Sequence, residues 1–131
     1  MTEIPDERRE RIATDPFCET LGVELVELAP GTATTELVVT EDLLNFHGTP
    51  HGGAVYSLAD AAFAAASNAE GETALALETN VSYLDSVAVG ETLTASADRE
   101  HASDATASYR VDVTDEDGEA VAVFRGRVYR P

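Results

Sequence analysis

The stretch from Asn45 to Asp60 holds an amide, a histidine followed by two glycines, and one carboxylate. Together these groups suit carbonyl chemistry. A carboxylate acts as general base or as nucleophile. An amide N–H, or the free backbone N–H groups at a helix start, can hold the oxyanion that forms when a carbonyl is attacked. Asp60 lies inside GGAVYSLADAAFAAASN, where its neighbours one turn away are Tyr56, Ser57, Phe63 and Ala64, none of them cationic. An ionised carboxylate in apolar surroundings is costly unless it is hydrogen-bonded or paired from elsewhere. Read structurally, Asp60 is a buried acid bonded to a backbone or tyrosine group. Read functionally, it is a tuned base or nucleophile.

His51, Gly52 and Gly53 open the same helix. Helix N-termini present unpaired N–H groups and a partial positive charge, and glycine lets a ligand come close to the backbone. The bland reading is that Gly52 and Gly53 only ease packing. Asn45 is either a turn residue or an amide donor to a substrate carbonyl, and His51 either a helix-start histidine or a group that orients the loop. His47, His51 and Asp60 lack the spacing of a metal ligand set, so no metal is expected.

From Gly52 to Asp60 is roughly 12 Å along a helix rising 1.5 Å per residue. One small carbonyl group cannot touch both ends of that span. If both act on one substrate, they come from two copies of the chain, which predicts a two-fold dimer with antiparallel central helices and shared sites.

The elements that position these groups follow from patterning. A short amphipathic helix is expected near the start (5–14, within a leading segment 1–15), with Pro5 at its first turn. FCETLGVELVELAPG reads as the start of a strand in which Val23, Leu25 and Glu27 alternate, and TATTELVVT as a second strand. The long helix covers about 51–68. GETALALETNVSYL, ETLTASADREH, ATASYRVDVTD and EAVAVFRGRVYR follow as four strands, the last two joined by the turn DEDG. A helix apolar all round must be buried. The order of elements predicts a single α+β domain over 1–131, an antiparallel sheet curled around one central helix in a hot-dog layout.

Composition narrows the setting. The 131 residues carry 25 acids against 8 basic residues, a net charge of -17, and every basic residue is arginine. No basic stripe exists to meet nucleic acid. No apolar run reaches the roughly 20 residues of a membrane span, the opening MTEIPDERRERIATD lacks an apolar signal core, and Cys18 is the one cysteine. A cytoplasmic protein is expected. Acid spread over every segment is read as adaptation to a halophilic cytosol, since salt near 1 M shortens the Debye length to about 3 Å.

With Asn45 six residues ahead of His51, Asp60 nine behind it and AAFAAASNAEG following, the chain resembles the PaaI-type hot-dog thioesterases of phenylacetic acid degradation. The likeness runs from about Cys18 to Arg130, through LGVELVELAPGTA, VSYLDSVAVGETLTASA and AVFRGRVYR. It implies hydrolysis of an acyl-CoA thioester, often an arylacetyl one, with no cofactor beyond the CoA of the substrate. It implies that Asp60 is base or nucleophile, that Asn45, Gly52 and Gly53 polarise the carbonyl, and that His51 supports their loop. It also implies sites at a dimer interface and tetramers of such dimers. Two stretches depart from the family. ALALETN has Ala76, Leu77, Glu78 and Thr79 where related enzymes place a water-holding hydroxyl, and Asp85-Ser86 replaces an Arg-Pro pair that could meet CoA phosphate. Arg99, His101, Arg127 and Arg130 are the substitute CoA contacts considered, beside their reading as solvated surface charge. A non-catalytic acyl-CoA sensor would not need the acid, and a hot-dog hydratase would need an Asp-His dyad that is absent here.

The charge generates a first prediction. CoA is anionic and the chain carries -17, so substrate and subunits are all repelled at low salt, over about 30 Å at 0.01 M. Thioester hydrolysis and dimer fraction should both rise from 0.1 M toward molar KCl, as read by thiol release and sedimentation mass. Highest activity at low salt, with the oligomer intact, would refute the halophilic reading.

Overall fold

The computed structural model describes residues 4–131. Helices α1 (Asp6–Ala13) and α2 (Pro16–Leu21) precede strands β1 (Glu24–Ala29) and β2 (Thr32–Val38). A 3-10 turn (Glu41–Leu43) and a loop lead to α3 (Gly52–Asn68). Strands β3 (Leu75–Tyr83), β4 (Thr92–Ala102), β5 (Thr106–Thr114) and β6 (Ala120–Tyr129) complete the chain. The strands form one antiparallel sheet in the order β1-β2-β4-β5-β6-β3, and α3 packs against it. This is the α+β hot-dog arrangement that the order of elements predicts.

Small side chains let helix and sheet approach closely. Ala59 and Ala62 of α3 and Ala95, Ala97 and Ala107 of the sheet are all buried in one core. Strands β4 and β5 alternate with period two, turning Leu93, Ala95 and Ala97, then Ala107, Tyr109, Val111 and Val113, inward. Phe63 of α3 meets Tyr109 and Phe124 at ring-centroid distances of 5.9 and 5.5 Å. The buried Thr35 hydroxyl donates to the Leu58 carbonyl at 3.0 Å, tying β2 to the middle of α3.

Three expectations need correction. The segment opening FCETL does not begin a strand. Asp15 accepts from the N–H groups of Phe17 and Cys18, Pro16 takes the first turn, and Gly22 ends the segment at φ 87°. Those are helix start and stop signals, and the strand starts only at Glu24. A bulge after Leu25 then turns Leu28 inward and leaves Glu27 exposed. The leading helix is shorter than expected, covering Asp6–Ala13, and positions 1–3 lie outside the described residues. Finally, α3 is apolar all round yet buried on one side only. Within the single chain, Gly53 and Ala64 are exposed, and Ser57, Asp60 and Ala61 are half-buried.

The sheet also leaves an open edge. Strand β3 pairs only with β6, and Leu75, Leu77 and Tyr83 on it, with Leu84 beyond, are 45–55% exposed. Unpaired edges normally carry lysine, proline or cover from another element.

Gly126 on β6 faces Phe63, and a Cβ built there would stand 2.6 Å from the ring. Overpacking of this kind typically costs about 1–3 kcal/mol. Gly126→Ala is expected to lose about that much stability in urea unfolding. A variant as stable as the parent would show that the ring can move aside.

Candidate active site

The loop into α3 is built around Asn45. Its backbone N–H donates to Thr49 O at 2.8 Å, and its carbonyl accepts from the Gly48 N–H at 3.0 Å. Gly48 sits at φ 80°, a conformation that favours glycine. The side-chain oxygen accepts from His47 N, Thr49 N and Thr49 Oγ1 at 2.9, 3.2 and 3.1 Å. Two of these donors are backbone N–H groups, so the amide orientation is fixed. Its Nδ2 has no acceptor among the described residues, which leaves the NH2 as a free, held donor.

His51 caps α3. Its Nδ1 accepts from Gly53 N at 2.8 Å, so any ring proton of the neutral form sits on Nε2. That bond occupies the Gly53 N–H. The Ala54 N–H bonds the His51 carbonyl at 3.0 Å. The Gly52 N–H has no partner among the described residues. The open donors at this helix start are therefore Gly52 N and Asn45 Nδ2, not Gly53 N. Gly53 has a steric role: a Cβ there would stand 3.0 Å from the imidazole Nδ1.

Tyr83, which the sequence did not single out, holds this turn from the edge strand. Its hydroxyl donates to Gly52 O at 3.0 Å, and a Cβ at Gly52 would come within 3.3 Å of its ring. Nothing local in NVSYL signals a contact 31 residues away. Thr79, on the stretch that departs from the family, turns inward and shares a 2.6 Å hydrogen bond with the Tyr56 hydroxyl. Tyr56 packs edge-on to Phe124 and stands one helical turn before Asp60.

Asp60 has no hydrogen bond or ion pair among the described residues. Burial first, then the charge of Asp15, raises its carboxyl above the ordinary aspartate range. Asp15 is the cap of α2, so the short helix missing from the sequence reading is also the nearest negative neighbour of Asp60. The signal was present as Asp15-Pro16, a helix-opening pair. The Cys18 thiol is pushed up to about 11, by burial first, then by Asp15 and Asp60. A thiol so protonated at neutral pH is a poor nucleophile.

The single chain thus gathers Asn45, His51 and Gly52 at the start of α3 and leaves Asp60 on the same unbroken helix, roughly 12 Å away at 1.5 Å per residue. It does not bring Arg99, His101, Arg127 or Arg130 to that helix start. Arg99 pairs with Glu70 and Arg130 with Glu72 just past the other end of α3. Arg127 pairs with Glu78 across β6 and β3 at 2.9 Å, and His101 is exposed on β4. Among the described residues, no three His, Cys, Asp or Glu side chains are placed to hold a metal ion, and no helix is long and apolar enough to cross a membrane.

Comparison with known proteins gives one family. Residues 47–122 match the thioesterase superfamily. The acyl-coenzyme A thioesterase PaaI of Escherichia coli K12 is 35% identical over 116 residues, covering 88% of this chain and 83% of that protein. The E. coli PaaI structure superposes with TM-score 0.91 over 95% of this chain and 91% of that one, at 32% identity. A mutant of the phenylacetic acid degradation protein PaaI from Thermus thermophilus gives 0.86 at 45% identity, over 89% of this chain and 100% of that one. A Streptococcus mutans protein solved with acetyl CoA gives 0.79 at 26% identity, over 83% and 88%.

The raised pKa of Asp60 fixes the sign of a stability effect. The folded chain holds this proton more tightly than the unfolded chain, so stability falls as pH rises from the ordinary aspartate range through the folded value. At pH 7 the ionised acid is a net cost, and Asp60→Asn should raise the denaturation midpoint. The gain should shrink as pH falls toward 4. Equal midpoints of parent and variant across pH 4–7 would mean that the carboxylate is paired after all.

Proposed function

Because the chain belongs to the thioesterase superfamily, in its PaaI-type hot-dog branch, we propose that its substrate is an acyl-CoA, with an aryl or arylacetyl group as one candidate. Thioester hydrolysis is the activity of the family, and the E. coli relative is named an acyl-CoA thioesterase. The observation that carries the site assignment is the division of labour along α3. Two unengaged donors stand at its start, and an unpaired, half-buried acid stands two turns on.

In this reading the thioester oxygen rests between Gly52 N–H and Asn45 Nδ2, where the helix start favours negative charge. Asp60 from a second subunit either removes a proton from water as it attacks the carbonyl carbon or attacks that carbon itself. On the base route, collapse of the tetrahedral intermediate breaks the C–S bond, the CoA thiolate takes up the proton that Asp60 received from water, and the acyl group leaves as the acid. On the nucleophile route the same C–S cleavage leaves the acyl group on Asp60 as a mixed anhydride, which water then hydrolyses to the acid and free Asp60 while the thiolate takes the proton released. Its raised pKa makes Asp60 a better proton acceptor than an ordinary aspartate. His51 and Gly53 hold the loop. No metal or redox cofactor has a step here. The CoA contacts assigned to Arg99, His101, Arg127 and Arg130 compete with the glutamates that already pair three of them.

Two further features support assembly from copies of the chain. The exposed stripe of α3 that carries Asp60 and the open β3 edge both need cover, and a two-fold partner supplies both. Association of two dimers into a tetramer follows the family resemblance. The halophilic and cytoplasmic setting rests on the net charge of -17 without lysine.

The test uses two variants. Asp60→Asn should fold and lose about two to three orders of magnitude in kcat, the scale of a lost base or nucleophile. Asn45→Ala should also be impaired. Mixed and reassembled, the two should recover activity, because a heterodimer contains one site with both groups intact. Near-normal turnover in Asp60→Asn would remove it from the mechanism. No recovery despite subunit exchange seen by mass would place the two groups in one chain's site.

A further inference from the structure

Helix α2 lies against α3, and beside it, under the α1–α2 junction, is a cavity of about 370 Å³. Its walls include Ile12, Cys18, Val23 and Leu25 on one side, and Ala61 and Ala64 of α3 on the other. Ala61 follows Asp60 directly, and Ala64 stands one turn beyond it on the same helix face. The cavity therefore borders the segment of α3 that carries Asp60.

Four of its polar side chains are already engaged within the chain. Asn68 donates to the carbonyls of Ala64 and Ala74 and accepts from the Ala74 N–H. The Thr14 hydroxyl bonds Glu10 O, the Thr35 hydroxyl bonds Leu58 O, and Asp15 caps α2. What remains facing the space is hydrocarbon from Ile12, Val23, Leu25, Ala61, Ala64 and Ala65 and the Cys18 thiol, with the charged side chains of Arg11 and Asp15 at its exposed rim. A cavity of this size with an aliphatic floor lies within the range of small-ligand pockets, and Asp60 is the residue next to one of its walls, Ala61.

We propose that this cavity receives the acyl group and that the α1–α2 junction sets its size limit, a reading that rests on the assignment of Asp60 above. A space of about 370 Å³ stands at the small end of the range of ligand pockets. An octanoyl or phenylacetyl group fits it, and a hexadecanoyl chain does not. The three walls have different jobs. Ala61 and Ala64 keep the helix side clear, Val23 and Leu25 form the strand side, and Ile12 closes the roof. The roof lies outside residues 47–122, the segment that matches the family model, while Ala61 and Ala64 lie inside it, so the two walls belong to different parts of the chain.

The experiment compares kcat/KM for butyryl-, octanoyl-, phenylacetyl- and hexadecanoyl-CoA in the full-length protein. The parent should favour octanoyl- or phenylacetyl-CoA over hexadecanoyl-CoA. Ala64→Leu fills the cavity and should lower the octanoyl-to-butyryl ratio by about tenfold, given roughly fourfold per buried methylene. Ile12→Ala opens the roof and should raise the hexadecanoyl-to-octanoyl ratio several-fold. A binding arm uses the Asp60→Asn protein, in which the substrate survives. There octanoyl-CoA should bind more tightly than butyryl-CoA in calorimetry, and Ala64→Leu should abolish the difference. Ratios within twofold of the parent in both variants, or the same loss for every acyl group, would overturn the cavity assignment while leaving the thioesterase reading in place. Failure of the parent to hydrolyse any of the four would overturn both.

Discussion

The close approach of α3 to the curled sheet is the contact on which the other features depend. Alanines at Ala59, Ala62, Ala95 and Ala97 are buried with 0–2% exposure, which brings the helix backbone near the strands. A sheet that wraps one side of a helix cannot wrap the other. The side turned away is thus fixed by the same packing, and it carries Gly53, Ser57, Asp60, Ala61 and Ala64. Asp60, the small residues beside it and the glycine turn ahead of it share one uncovered stripe because the core takes the remainder.

Electrostatics act along that stripe with opposite signs at its two stations. At the start of α3, unengaged N–H groups and the helix dipole favour an anion. Two turns later, burial and the Asp15 charge disfavour one. A developing oxyanion and a reluctant carboxylate are thereby each given the surroundings that suit hydrolysis. The α2 cap contributes to the second station from outside the helix, so a short element that adds little to the core adjusts the acid at its centre.

The sequence made the layout and the chemical groups legible because they leave local traces. Period-two alternation marks β4 and β5, and a continuous apolar run marks α3. Asn45, His51, Gly52 and Asp60 are distinctive residue types at distinctive intervals. Helix α2 escapes a reading by pattern because the apolar residues after it invite a strand, although Asp15, Pro16 and Gly22 spell a helix start and stop. The roles of Gly53 and Tyr83 were not legible at all. One depends on a ring nitrogen folding back two residues, and the other on a contact between a strand end and a helix start 31 residues apart. Nor could patterning show that a helix apolar all round would be left half open, since periodicity reports what wants cover but not which molecule provides it.

The hydrogen bond from Tyr83 to Gly52 O joins the outermost strand of the sheet to the turn that presents the anion-holding amide. An outermost strand is the part of a sheet with the least support, held by neighbours on one side only. Support added on its free side stiffens Tyr83, and through it the direction in which the Gly52 amide points. If the site is shared as proposed, association and chemical competence are not two separate properties. On the proposed shared site, a lone chain is short of more than the other half: its own half stands on a strand that nothing braces from outside, so turnover would be withheld until the chains have met.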